Sequence, residues 1–108
     1  MKLSNIENFG EIVKDNDTYV VRDFVAEDMV VSSTLLYPGE KTGGHSHDDQ
    51  EEAYFFIKGS GRIIIDGKPT LVQMGSFCFI EKGEHHQVQN DGDVDMYFIC
   101  VFPGKRNH

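Results

Sequence analysis

The chain has 108 residues, 39% hydrophobic and 26% charged, with 18 acidic side chains against 10 basic ones. That length supports one domain around one core, and the composition is that of a globular chain rather than a disordered one. A net charge of −8 repels phosphate backbones and argues against nucleic-acid binding, and no apolar run reaches the roughly 18 residues a membrane span needs.

Residues 1–17 show no sustained periodicity. Ile6, Phe9, Ile12 and Val13 could form one helical turn, which Gly10 weakens. The segment reads as an N-terminal arm that packs on its own domain or on a partner subunit. It is too polar for the apolar stretch of a signal peptide, so a cytoplasmic address is expected. From Thr18 the character changes: TYVVRDFV and MVVSSTLLY are β-branched and aromatic and of strand length. Pro38-Gly39 ends the second run, and Gly43-Gly44 frees the backbone before His45. EAYFFIK, RIIID, TLVQ, SFCFI, HQVQ and VDMYFICVF follow as further strands, the last stopped by Pro103-Gly104. Between the second and third of these, Asp66-Gly67 is a strong hairpin signal, because both turn positions want positive φ. About eight short strands with turn residues between them describe an all-β antiparallel sandwich or barrel over 18–104, with a tail at 105–108. Cys78 and Cys100 lie inside apolar runs and read as buried, reduced thiols.

The chemistry concentrates near residues 45–52. His45 and His47 are two apart, so on an extended strand both imidazoles leave the same face. Glu51 and Glu52 follow, and only one of them can share that face. His86 comes after a later turn, in GEHHQVQN. Three imidazoles and one carboxylate are a ligand set for a divalent transition metal. Taken alone, HSHDDQEE reads better as a solvated turn; the histidine at 86 is what changes the balance.

Two spaced motifs tie these positions together. Gly39, His45, His47, Glu52 and Gly59 form one; Gly75, Gly83, His86 and Asn90 form the second, fifteen residues further on. In both, the chain resembles the cupin family, small antiparallel barrels (jelly rolls, or double-stranded β-helices) that often hold a metal. One position departs, Glu81 standing where the family has proline. The resemblance covers about half the chain and implies that His45, His47, Glu52 and His86 hold one divalent ion, which could be Mn, Fe, Ni, Co, Cu or Zn. Glu51 is the alternative carboxylate, and the six-residue gap to Gly59 favours Glu52. Four protein ligands on an ion preferring six leave two positions for water or a chelating small molecule.

Tyr54 and Phe56 share the parity of Glu52, and Val88 that of His86, so all three should point inward. Core packing accounts for them, but they are also candidates to line a substrate pocket, with Tyr54 a possible acid or hydrogen-bond donor. Arg62 is a candidate for a substrate carboxylate or phosphate. His85 should face solvent, and Asn90 reads as a turn residue. No nucleophile triad or phosphate loop is present. Three functions remain: a metal-dependent enzyme acting on a small oxygen-rich molecule (a sugar, sugar phosphate, or oxo or hydroxy acid), a metal-dependent binding or sensing module, and an empty structural barrel. The first is favoured, and a homodimer is expected because so small a barrel leaves strand edges to cover.

Overall fold

The computed structural model describes residues 1–104; the expected tail at 105–108 lies outside the described residues. Nine strands run in chain order: β1 (Glu11–Asp15), β2 (Tyr19–Val25), β3 (Met29–Leu36), β4 (Glu52–Lys58), β5 (Ser60–Ile65), β6 (Lys68–Gln73), β7 (Phe77–Ile80), β8 (His86–Gln89) and β9 (Met96–Pro103). They form a six-stranded sheet ordered β1-β2-β3-β9-β4-β7 and a three-stranded sheet ordered β6-β5-β8, with every pairing antiparallel. Among the described residues there is no α-helix, and none long and apolar enough to cross a membrane.

Alternation along each strand decides which side chains meet between the sheets. In β4, Glu52, Tyr54 and Phe56 are buried while Phe55 is exposed. Across the β4–β9 ladder Tyr54 opposes Cys100 and Phe56 opposes Phe98, and cross-strand partners share a face. The rings of Tyr54, Phe56 and Phe98 stand 5.5 to 6.2 Å apart. Leu36 from β3 joins them, and the small sheet answers with Ile63, Val72 and Val88. Removing this apolar surface from water is what closes one sheet over the other.

The turns follow from their residues. Asp66 and Gly67 both have positive φ, 48° and 82°, the geometry a two-residue hairpin demands. Asn90 is fully buried, and its amide clamps two chain segments: Nδ2 donates to the Leu36 and Val94 carbonyls at 3.0 and 2.9 Å, while Oδ1 accepts from the Gly92 amide at 3.1 Å. It is a turn residue that also ties the end of β3 to the β8–β9 loop. Cys78 and Cys100 are partly buried, and no disulfide joins them.

The eight strands expected from the sequence are present. A ninth, β1, lies inside the segment read as an arm. Each of its residues is exposed, so no inside-outside pattern announces it; pairing with β2 supplies its order instead. Residues before β1 lie against the larger sheet. The Tyr97 hydroxyl donates to the Ile6 carbonyl, Arg22 Nη1 donates to the Asn8 carbonyl at 3.3 Å, and Glu7 pairs with Lys58 at 2.6 Å. The arm thus lies on the outer face of its own larger sheet.

Candidate metal centre

Two strand beginnings and one irregular segment build the site. Glu52 opens β4 and His86 opens β8. His45 and His47 are not on a continuous strand, as the two-residue spacing suggests. Their segment touches β8 through the isolated bridges Lys41↔Gln89 and His45↔His86. The His45 amide donates to the His86 carbonyl at 3.2 Å and the His86 amide to the His45 carbonyl at 2.9 Å, while Gly83 donates to the His47 carbonyl at 2.7 Å. Glycine at position 44 makes room for a neighbouring ring. A Cβ there would lie 2.3 Å from Cε1 of His85, so the His85 ring, exposed as expected, takes the space of a side chain.

Despite that path the side chains converge. Ring centroids of His45 and His86 are 4.3 Å apart, those of His45 and His47 5.0 Å, and those of His47 and His86 6.5 Å. Donor atoms of His45, His47 and Glu52 all lie within 4.8 Å of one another, a candidate metal-binding group. Glu52 Oε1 is 3.8 Å from His47 Nε2, and Glu52 Oε2 is 2.9 Å from His86 Nε2. Glu52 is 2% exposed, whereas Glu51 is exposed to solvent, and of the two it is Glu52 that faces the histidines.

The protons decide what the cluster wants. His86 Nδ1 lies 3.1 Å from the Glu84 carbonyl, which can only accept, so Nδ1 carries a hydrogen and Nε2 of the neutral ring presents a lone pair. That lone pair faces Glu52 Oε2, and neither buried atom makes a well-aligned hydrogen bond. Two acceptors in contact need a cation, whether a proton or a metal. With only a proton to share, the pair answers by shifting. Burial disfavours ionised Glu52, but His86 and the fields of His45 and His47 outweigh it and hold the carboxyl below its usual range. Burial likewise opposes a charged His86, yet Glu52 and the Glu84 carbonyl raise its pKa. A divalent ion would satisfy the same atoms, and three imidazoles with one carboxylate suit a borderline transition metal.

The cluster opens into a cavity of about 260 Å³, room for a small molecule rather than a polymer. His45, Glu52 and Tyr54 line it, along with the hydroxyl residues Ser32, Thr34 and Thr42 and an apolar wall that includes Val21, Phe98 and Phe102. Tyr54 is buried with its ring centroid 5.8 Å from that of His86. Burial, then Cys100 and Glu52 nearby, push its phenol well above the ordinary range, so it stays a donor at neutral pH. Three other sequence candidates lie elsewhere. Phe56 and Val88 are 2% and 1% exposed and belong to the core between the sheets rather than to the cavity wall. Arg62 alternates outward on β5 and pairs with Asp91 at 3.2 Å; its parity, opposite to that of buried Ile63, is the signal against it. The cation at the cavity is Lys14 of β1, which the sequence reading passed over because it treated 1–17 as an arm.

Against known proteins, the family model for the cupin domain matches residues 33–102. The chain belongs to the cupin family. The cupin is 35% identical over 66 residues to the oxalate-binding protein of Thermotoga maritima, covering 61% of this chain and 54% of that one. It is 26% identical over 121 aligned positions to a glucose-6-phosphate isomerase of Thermococcus litoralis, covering 94% of this chain and 64% of the relative. The cupin thus spans only some 54 to 64% of the length of these two relatives. An RmlC-like cupin of Shewanella frigidimarina superposes with a TM-score of 0.81 at 15% identity, over 99% of this chain and 94% of that one, a likeness of fold.

Proposed function

We propose that this cupin is a metal-dependent enzyme acting on a small oxygen-rich molecule, with one divalent transition metal held by His45, His47, Glu52 and His86. The observation that carries the reading is the convergence of four ligand side chains, the donor atoms of His45, His47 and Glu52 lying within 4.8 Å of one another and Glu52 Oε2 lying 2.9 Å from His86 Nε2. When bound, the ion supplies Lewis acidity and open positions for a chelating pair of oxygens. The protein's own groups do the rest. Glu52 brings one negative charge to the site. The Glu84 carbonyl fixes the tautomer of His86, which keeps Nε2 available as a ligand atom. Tyr54, kept protonated and lining the cavity, supplies a donor for a ligand oxygen. Ser32, Thr34 and Thr42 offer hydroxyls to a polyoxygenated ligand, and Phe98 and Phe102 exclude water from one side of it.

The relatives' names favour two ligand classes, a chelating dicarboxylate such as oxalate and a sugar phosphate. The oxalate-binding relative also supports a second reading, a binding module that holds its ligand unchanged. We take the setting to be cytoplasmic and the assembly a homodimer, which the exposed Phe55, Phe77 and Phe79 beside edge strand β7 favour. Elemental analysis should find one transition-metal ion per chain, and His47→Ala should lower it severalfold. Incubating the loaded protein with oxalate, 2-oxo acids and sugar phosphates should yield product with one class. Tight binding of a chelator without turnover would favour the binding module, and unchanged metal content in His47→Ala would overturn the ligand assignment.

A further inference from the structure

β1 departs from a regular ladder at one point. Ile12 opposes Arg22, but the next pair is Lys14 with Val21, and Val13 is the extra residue of a β-bulge. In an unbroken ladder Val13 would oppose Val21 and Lys14 would oppose Val20, on the outer face. Cross-strand partners share a face, and Val21 is buried and lines the cavity. The bulge therefore exchanges a valine for a lysine at the cavity rim, the kind of re-aiming that bulges perform beside binding sites. Strand economy gives no reason for this exchange, since the hydrophobic residue is the one turned away.

Lys14 also lacks a carboxylate partner among the described residues. Its ammonium lies 5.9 Å from the centroid of the Tyr19 ring. Lys58 and Arg62, by contrast, are engaged by Glu7 and Asp91. In a chain of net charge −8, an ammonium without a carboxylate partner, lining a cavity that also carries three hydroxyl side chains, marks where negative charge is wanted. Ser32, Thr34 and Thr42 share the cavity lining with it and with His45 and Glu52, and the ladder row Lys14–Val21–Thr34–Phe98–Phe56 lies four residues along β4 from Glu52.

We infer that Lys14 is the anion-recognition residue of this cavity, selecting small ligands that carry a carboxylate or phosphate at the end away from the His45/Glu52 cluster. The inference rests on the proposed metal site and names the ligand class it serves. Lys14 acts by charge rather than by fold, so Lys14→Arg should preserve what Lys14→Met removes.

Calorimetric titration of Mn²⁺-loaded protein with matched probes tests it. One pair is 2-oxoglutarate against 2-oxopentanoate, alike at the chelating end and differing by a distal carboxylate; the other is 3-phosphoglycerate against glycerate, differing by a distal phosphate. The wild-type protein should prefer the distal anion in at least one pair by about fivefold, the size of a partly exposed ion pair, and the pair showing it tells carboxylate from phosphate. Lys14→Met should bring that ratio close to one with metal stoichiometry unchanged, and Lys14→Arg should retain it. A ratio near one in the wild type, or a preference that survives Lys14→Met, overturns the inference. A wild-type chain that takes up no metal overturns the proposed function instead, and the lysine assignment with it.

Discussion

A neutral imidazole whose Nδ1–H is already committed to a carbonyl has only a lone pair to show on its other side. In His86 that lone pair meets the Glu52 carboxylate, and the consequence is a dependence on pH that differs between metal-free and loaded protein. Without metal, the pair stabilises the fold as imidazolium and carboxylate. The raised pKa of His86 means that its contribution is complete below the ordinary value of 6.5 and fades as pH climbs through the raised one. The lowered pKa of Glu52 means that its contribution is present above the ordinary 4.5 and fades as pH falls through the depressed one. Metal-free protein should therefore be most favoured by this pair in the window between 4.5 and 6.5. Loaded protein behaves oppositely at the upper end, because a ligand imidazole must be neutral and metal uptake releases its proton. The gap in melting temperature between loaded and chelator-treated protein should widen from about pH 6 to about pH 8. A gap that narrows over that range would contradict the role given to His86.

Strands set the precision of the site, and their legibility varied for physical reasons. β4 was readable residue by residue because one face is buried: Glu52, Tyr54 and Phe56 go in, and Phe55 stays out. β1 was not, since a strand with every residue exposed has no periodic signal, and its bulge would have defeated parity in any case. The same limit explains the exchange of cations. Arg62 suits an anion by its chemistry but faces outward on β5 and pairs with Asp91; Lys14 reaches the cavity only through a cross-strand register that no local pattern encodes. The His45–His47 pair was found by its spacing, although the backbone there is an irregular run along β8 rather than a strand. Gly59, closing the turn after β4, shows how such elements are held: its φ is 78°, and an added Cβ would lie 2.5 Å from the Asp95 carbonyl oxygen. Gly59→Ala should cost about 1–3 kcal/mol, read as a lower urea midpoint at unchanged slope. A midpoint equal to that of the wild type would show that the turn relaxes freely.

At the level of the whole molecule, an acidic barrel gathers His45, His47 and His86 beside a small cavity that Lys14 also lines. The two sheets meet through an apolar core that includes Phe56, Ile63, Val72 and Val88, and Tyr54 belongs both to that core and to the lining of the cavity. Core and site are thus neighbours along the same strands, Phe56 two residues from Tyr54 and Val88 two from His86, and the stiffness of the first positions the second. Crystals of the manganese-loaded protein, measured for anomalous scattering, would show this directly. The account requires one strong peak with His45, His47 and His86 nitrogens and a Glu52 oxygen all within about 2.0–2.3 Å. A peak elsewhere, or Glu52 and His86 left in contact with no peak between the four side chains in fully loaded protein, would contradict it.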